Sequence, residues 1–131
     1  MSRERYRDGG GFEEAAAYSR AIRHGGHVLV SGTAPLGSNG EPVSGDTYEQ
    51  TREAIRRALA AAGELGADVS DVVRTRLLLA PGCDWEGAVR AHRETFAGIE
   101  PANTTYFVGG FVPPGVLVEV ELDAFVDEPP R

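Results

Sequence analysis

Residues 116–125 read VLVEVELDAF and alternate without a break. Val116, Val118, Val120, Leu122 and Ala124 fall on one side, with Leu117, Glu119, Glu121, Asp123 and Phe125 on the other. A period of two predicts a β-strand with one apolar face. Its second face carries three carboxylates, successive ones about 7 Å apart at strand spacing. Such a row is either a solvated strand face or the wall of a cleft in which burial raises one carboxyl to serve as general base.

Working outward, TTYFV (104–108) predicts the preceding strand, joined to the last by the turn-rich GGFVPPG. Near the N-terminus, YSRAIRHGGHVLVSGT (18–33) predicts two strands meeting at Gly25-Gly26, with Gly32 ending the second where a backbone approaches closely. The period then changes. In DTYEQTREAIRRALAAAGELG (46–66), Asp46 and Glu49 form a capping pair, and Tyr48, Thr51, Ile55, Ala58, Leu59 and Ala62 recur at helical spacing. Arg52, Glu53, Arg56 and Arg57 fall on the outer side, and Gly63 and Gly66 supply the stop. VVRTRLLLA (72–80) is a further strand, and Asp84 caps a second helix over 85–97 that buries Trp85, Ala88, Val89, His92 and Phe96. The ends, 1–11 and 127–131, lack any pattern and are expected to be frayed.

The order is β-β-α-β-α-β-β, a single α+β domain over 1–131 with a core about 13–126. Strands separated by helices imply crossovers, with both helices on one face of a mixed sheet. The VVRTRLLLA strand keeps apolar character on both faces, so the second sheet face is expected to pack on another chain.

Composition narrows the function. With 13 basic and 20 acidic residues the net charge is −7, and the basic residues are scattered among acids. That disfavours nucleic acid as a partner. No run approaches the roughly 18 apolar residues of a membrane span, and the polar MSRERYRDGGG is not a secretory signal, so a cytoplasmic protein without membrane contact is expected. A single cysteine, Cys83, excludes an internal disulfide and a cysteine-based zinc site. His24 and His27 lie at a turn without a third ligand, so no metal is expected. His92 reads as a packed or cleft-lining histidine. No nucleophile elbow, phosphate loop or dinucleotide fingerprint is present.

YSRAIRHGGHVLVSGTAP, NGEPV, TYEQTREAIRRALAAAG, ADVSDVVRTRLLL, DWEGAVRAHRETF, PANTT and LVEVELDAF together, in this order, resemble the RidA (YjgF) family over roughly residues 13–126. The resemblance implies a chorismate-mutase-like fold and a homotrimer with ligand clefts between subunits. It also implies hydrolysis of reactive imines or enamines to ketoacids and ammonia, with no cofactor.

In the imine deaminases of that family an arginine follows "PA" and grips the substrate carboxylate, a bidentate role suited to guanidinium. This chain reads Pro101-Ala102-Asn103, and asparagine supplies no charge. Loss of a charge-assisted pair costs on the order of 1.5–3 kcal/mol of binding, enough to change the preferred substrate. Glu119 matches the family's water-holding glutamate and is the expected catalytic residue. By the same resemblance Tyr18, Gly32, Asn103 and Thr105 (the last through its main chain) are expected to contact a small-molecule metabolite. Tyr106, Phe107 and Phe111 suggest a bulkier or less charged ligand. The resulting expectation is a deaminase-like hydrolase acting on something other than a simple 2-iminoacid. The alternative is a non-catalytic trimer that binds a metabolite or stabilises partner proteins.

Overall fold

A computed structural model describes residues 2–127. Its elements in chain order are β1 (Arg3–Tyr6), α1 (Gly11–Ala16), β2 (Ala21–His24), β3 (His27–Thr33), α2 (Thr47–Glu64), β4 (Val72–Leu79), α3 (Trp85–Phe96), β5 (Ala102–Phe107) and β6 (Val118–Phe125). One mixed sheet runs β1-β2-β3-β6-β4-β5. The β4/β5 pair is parallel and all others are antiparallel. β6 therefore lies centrally, between β3 and β4.

The alternation of β6 is the alternation of burial. Val118, Val120, Leu122 and Ala124 are fully buried, whereas Glu119, Glu121 and Asp123 are half-buried on the other face. On the buried side α2 contributes Ala54, Ile55, Ala58, Ala61 and Ala62, and α3 contributes Ala88 and Phe96. Small residues let α2 lie close to the sheet. Large buried side chains such as Phe96 and Ile55 each contribute about 1.5–3 kcal/mol. Both helices start at the expected caps: Asp46 accepts from the Glu49 amide at 2.9 Å and Asp84 from the Gly87 amide at 3.2 Å.

Two expectations about α3 are corrected. Trp85 and Val89 are exposed, at 52% and 43%. The buried stripe is Gly87, Ala88, Ala91 and Phe96, rotated away from them. The N-terminal segment is also not frayed. Arg3–Tyr6 pairs antiparallel with the outer edge of β2, and Gly11–Ala16 forms a short helix. RERY has no apolar face to betray a strand; its partner edge supplies the order. The expected loose C-terminal end falls mainly on 128–131, outside the described residues.

The register carries two bulges. Between Val30 and Thr33, β3 takes three steps against two on β6, and between Val72 and Arg74, β4 takes two against one. The first places the Ser31-Gly32 backbone beside the start of β6, where the candidate site lies.

Candidate functional site

The cleft forms where β3 ends and β6 begins. It is a cavity of about 210 Å³ whose polar wall includes Glu119, Arg20, Tyr18 and Gly32, with Phe12, Leu36, Val112 and Pro113 on its apolar side. Gly32 approaches Glu119 so closely that a Cβ there would stand 2.8 Å from Glu119 Oε1. The spacing of the β3 bulge and the absent side chain thus make room for the carboxylate.

Glu119 is half-buried, and burial pushes its carboxyl above the ordinary carboxylate range. The Arg20 charge pulls it back and Glu121 pushes it further up. Glu121 and Asp123, by contrast, have partners on the same face: Arg76 lies 3.4 Å from Glu121, and His27 lies 4.0 Å from Asp123. The carboxylate row therefore divides, and Glu119 is the member that lines the cavity.

Arg20 is the residue the sequence reading missed. It is buried, at 8% exposure. Its Nη1 donates to the Gly32 carbonyl at 2.5 Å and to Thr33 Oγ1 at 3.3 Å, and its Nη2 donates to the Tyr18 hydroxyl at 3.3 Å. The guanidinium also lies 5.6 Å from the centre of the Tyr18 ring. A signal existed in the spacing, since residues two apart in extended chain share a face. Asp8 completes the arrangement, 2.7 Å from Arg57 Nη2 and 3.9 Å from Arg20 Nε. Burial alone would raise Asp8, but hydrogen bonding with Glu13 and the Arg20 and Arg57 charges hold it below its usual range. Buried Glu13 is pushed up by that burial and by Asp8. Arg57, expected on the outer side of α2, instead turns to Asp8 and to the Ala34 carbonyl.

Three of the five expected site residues, Tyr18, Gly32 and Glu119, thus meet in one cavity. Asn103 and Thr105 do not join them within the chain. Their register partners on β4 are Thr75 and Leu77, which face the helices, whereas the partner of Glu119 is Leu78 on the opposite face. Thr105 Oγ1 donates to Asn103 Oδ1 at 2.8 Å, and Asn103 Nδ2 donates to Thr75 Oγ1 at 3.0 Å. Thr75 Oγ1 in turn lies 2.7 Å from His92 Nε2. Burial lowers the His92 pKa, which favours the neutral ring, and its tautomer sets which of the two groups donates. Tyr106 and Phe107 are exposed on β5, so the cleft takes its apolar wall from other residues.

Arg90 stacks 4.1 Å over the Tyr48 ring, on the helical layer. Burial raises the Cys83 thiol, opposing thiolate chemistry. Among the described residues no three His, Cys, Asp or Glu side chains are grouped to hold a metal, and no helix is long and apolar enough to cross a membrane.

The family model described as Endoribonuclease L-PSP matches residues 11–126. This chain belongs to the Ribonuc_L-PSP, or RidA/YjgF, family. An uncharacterized protein of Streptomyces coelicolor is 37% identical over 121 residues, 92% of this chain and 90% of its own. The 2-iminobutanoate/2-iminopropanoate deaminase of mouse is 30% identical over 105 residues, 79% of this chain and 77% of its own. A solved Mycobacterium tuberculosis member of the YjgF/YER057c/UK114 family superposes with a TM-score of 0.85 at 39% identity, covering 95% of this chain and all of the other. The RidA/YjgF family thus includes imine deaminases, and the mixed-sheet α+β fold is that of its solved members. Asp8 and Gly10, which line the cleft, precede the matched region.

Proposed function

We propose that this protein hydrolyses a small enamine or imine, or a related reactive metabolite other than a simple 2-iminoacid, without a cofactor. The observation that carries the reading is Glu119, a half-buried carboxylate held against the Gly32 backbone in a partly apolar cavity. A carboxylate raised by burial is a better proton acceptor than a solvated one, and can hold and deprotonate water beside an electrophilic imine carbon. Water adds to that carbon, the C–N bond of the resulting carbinolamine breaks, and ammonia and a carbonyl compound leave. Tyr18 and the Gly32 backbone border the substrate. Asn103 and Thr105 contribute only if a neighbouring subunit of a homotrimer brings its β5 edge to the cleft.

Ammonia release from freshly generated short imines and enamines without an α-carboxylate tests this reading, comparing wild type with Glu119→Gln and with 2-aminoacrylate as the 2-iminoacid control that wild type is expected to leave unaccelerated. Acceleration by wild type that the variant loses by two or more orders of magnitude is the expected result. Equal rates from both would overturn it.

A second reading has its own observation. Asn103, standing where the deaminases of the family carry arginine, is turned into a hydrogen-bonded chain with Thr75. A cleft without that guanidinium can bind a metabolite and leave it unchanged. Saturable binding of an imine analogue with no ammonia release would favour this non-catalytic role.

A further inference from the structure

We propose that Arg20 is a positioning residue for Glu119, clamping the Gly32 backbone against its carboxylate and presenting a buried positive charge beside it. The role in turnover rests on the hydrolytic reading above; the physical coupling between the two side chains does not.

Three observations converge. First, Arg20 holds the bulge itself, since its Nη1 donates to the carbonyl of Gly32, the residue whose backbone abuts Glu119. Second, the same guanidinium holds the Tyr18 hydroxyl through Nη2, so one side chain orients two cavity walls. Third, Arg20 is buried and its Nε has no hydrogen-bond partner among the described residues; Asp8 stands 3.9 Å away. Arg20 is therefore only partly neutralised by Asp8, which makes its shorter contact, 2.7 Å, with Arg57. The remaining field falls on Glu119.

The charged groups around Glu119 come from every neighbouring element. Glu121 lies on the same strand, and Arg76 on β4 pairs with Glu121. Arg20 precedes β2, Arg57 projects from α2, and Asp8 and Glu13 come from the N-terminal segment. Of the cations, Arg20, which lines the same cavity, is the one whose charge favours the Glu119 carboxylate. Arg57 is held by Asp8 and Arg76 by Glu121. Burial makes the Glu119 carboxylate costly, and the Arg20 charge offsets part of that cost. Removing the charge leaves the cost uncompensated, so Glu119 would keep its proton to higher pH.

The test is a carbon-13 NMR titration of the Glu119 side-chain carboxyl, assigned with Glu119→Gln, in wild type, Arg20→Gln and Arg20→Lys. The midpoint is expected to move up in Arg20→Gln and to return toward the wild-type value in Arg20→Lys, which keeps the charge. The Gly32 amide resonance is expected to shift in both, because an ammonium cannot reproduce the fork on Gly32, Thr33 and Tyr18. An unchanged midpoint in folded Arg20→Gln overturns the proposal, as does the same upward move in both variants, which would indicate loosening alone.

A wild-type measurement stands even if Arg20→Gln fails to fold. Coupling is reciprocal, so the Arg20 Nε–H resonance should inflect at the Glu119 midpoint and lose that inflection in Glu119→Gln. An Nε–H resonance blind to Glu119 overturns the proposal. None of these readouts depends on turnover, so an inert enzyme with an intact coupling would count against the hydrolytic reading alone.

Discussion

Glu119 Oε1 lies so close to the Gly32 backbone, beside the β3 bulge, that a Cβ added to Gly32 would stand 2.8 Å from it. Gly32→Ala therefore meets the far end of a side chain that can swing away. The variant is expected to fold with nearly wild-type stability while displacing the carboxylate by about 1 Å, a misplacement that can cost on the order of 10²-fold in rate. Thermal melts and ammonia-release rates measured side by side check this, and a fully active Gly32→Ala would show that the close approach is incidental.

Glu119 also carries a stability signature that needs no substrate. Its folded pKa is raised by burial above the ordinary carboxyl value of 4.5. The folded state therefore binds its proton more tightly than the unfolded chain, and the associated stability, complete below 4.5, is lost as pH rises through the folded value. Glu119→Gln should accordingly gain stability over wild type on going from acid to neutral pH. Denaturant midpoints at pH 4 and pH 7 decide it; a difference that is flat or shrinks with pH would contradict the burial argument. The same shift places the acid limb of any turnover above the ordinary carboxylate range, with activity falling as the base is protonated.

Thr75 joins β4 to both β5 and α3, through Asn103 and His92. Thr75→Val leaves the Asn103 amide and the His92 ring short of a partner, and should cost about 1–3 kcal/mol. Asn103→Ala should cost about 0.5–1.5 kcal/mol, and the double variant less than the sum of the two. A double-mutant cycle in urea measures that coupling, and additive losses would mean that the contact contributes nothing to stability.

His92 gives a second pH dependence of determinate sign. Its folded pKa lies below the ordinary imidazole value of 6.5 because burial disfavours the cation. The stability linked to it is present above 6.5 and lost as pH falls through the folded value. His92→Gln, which cannot take up that proton, should flatten the stability profile between pH 7.5 and 5 relative to wild type. Parallel profiles for the two proteins would show that His92 titrates alike in both states.

The sequence by itself determined the local structure and much of the topology. An unbroken alternation in Val118–Phe125, helical spacing in Thr47–Glu64 and capping aspartates at 46 and 84 are short-range codes that the chain reads without distant partners. Resemblance singled out Glu119 from three equivalent-looking acids, a choice that periodicity alone left open. Only the tertiary structure decided which carboxylates acquire partners, because Arg76 and His27 reach Glu121 and Asp123 from other strands. It also decided that RERY becomes an edge strand, that Arg57 turns inward to Asp8, and that Asn103 faces α3 on the side of the sheet away from Glu119. Each is a matter of sheet face, register or ion pairing between segments far apart in the chain. Arg20 lies between the two cases: its shared face with Tyr18 was legible, but its burial against the Gly32 carbonyl arises only when the bulged β3 folds back beside it.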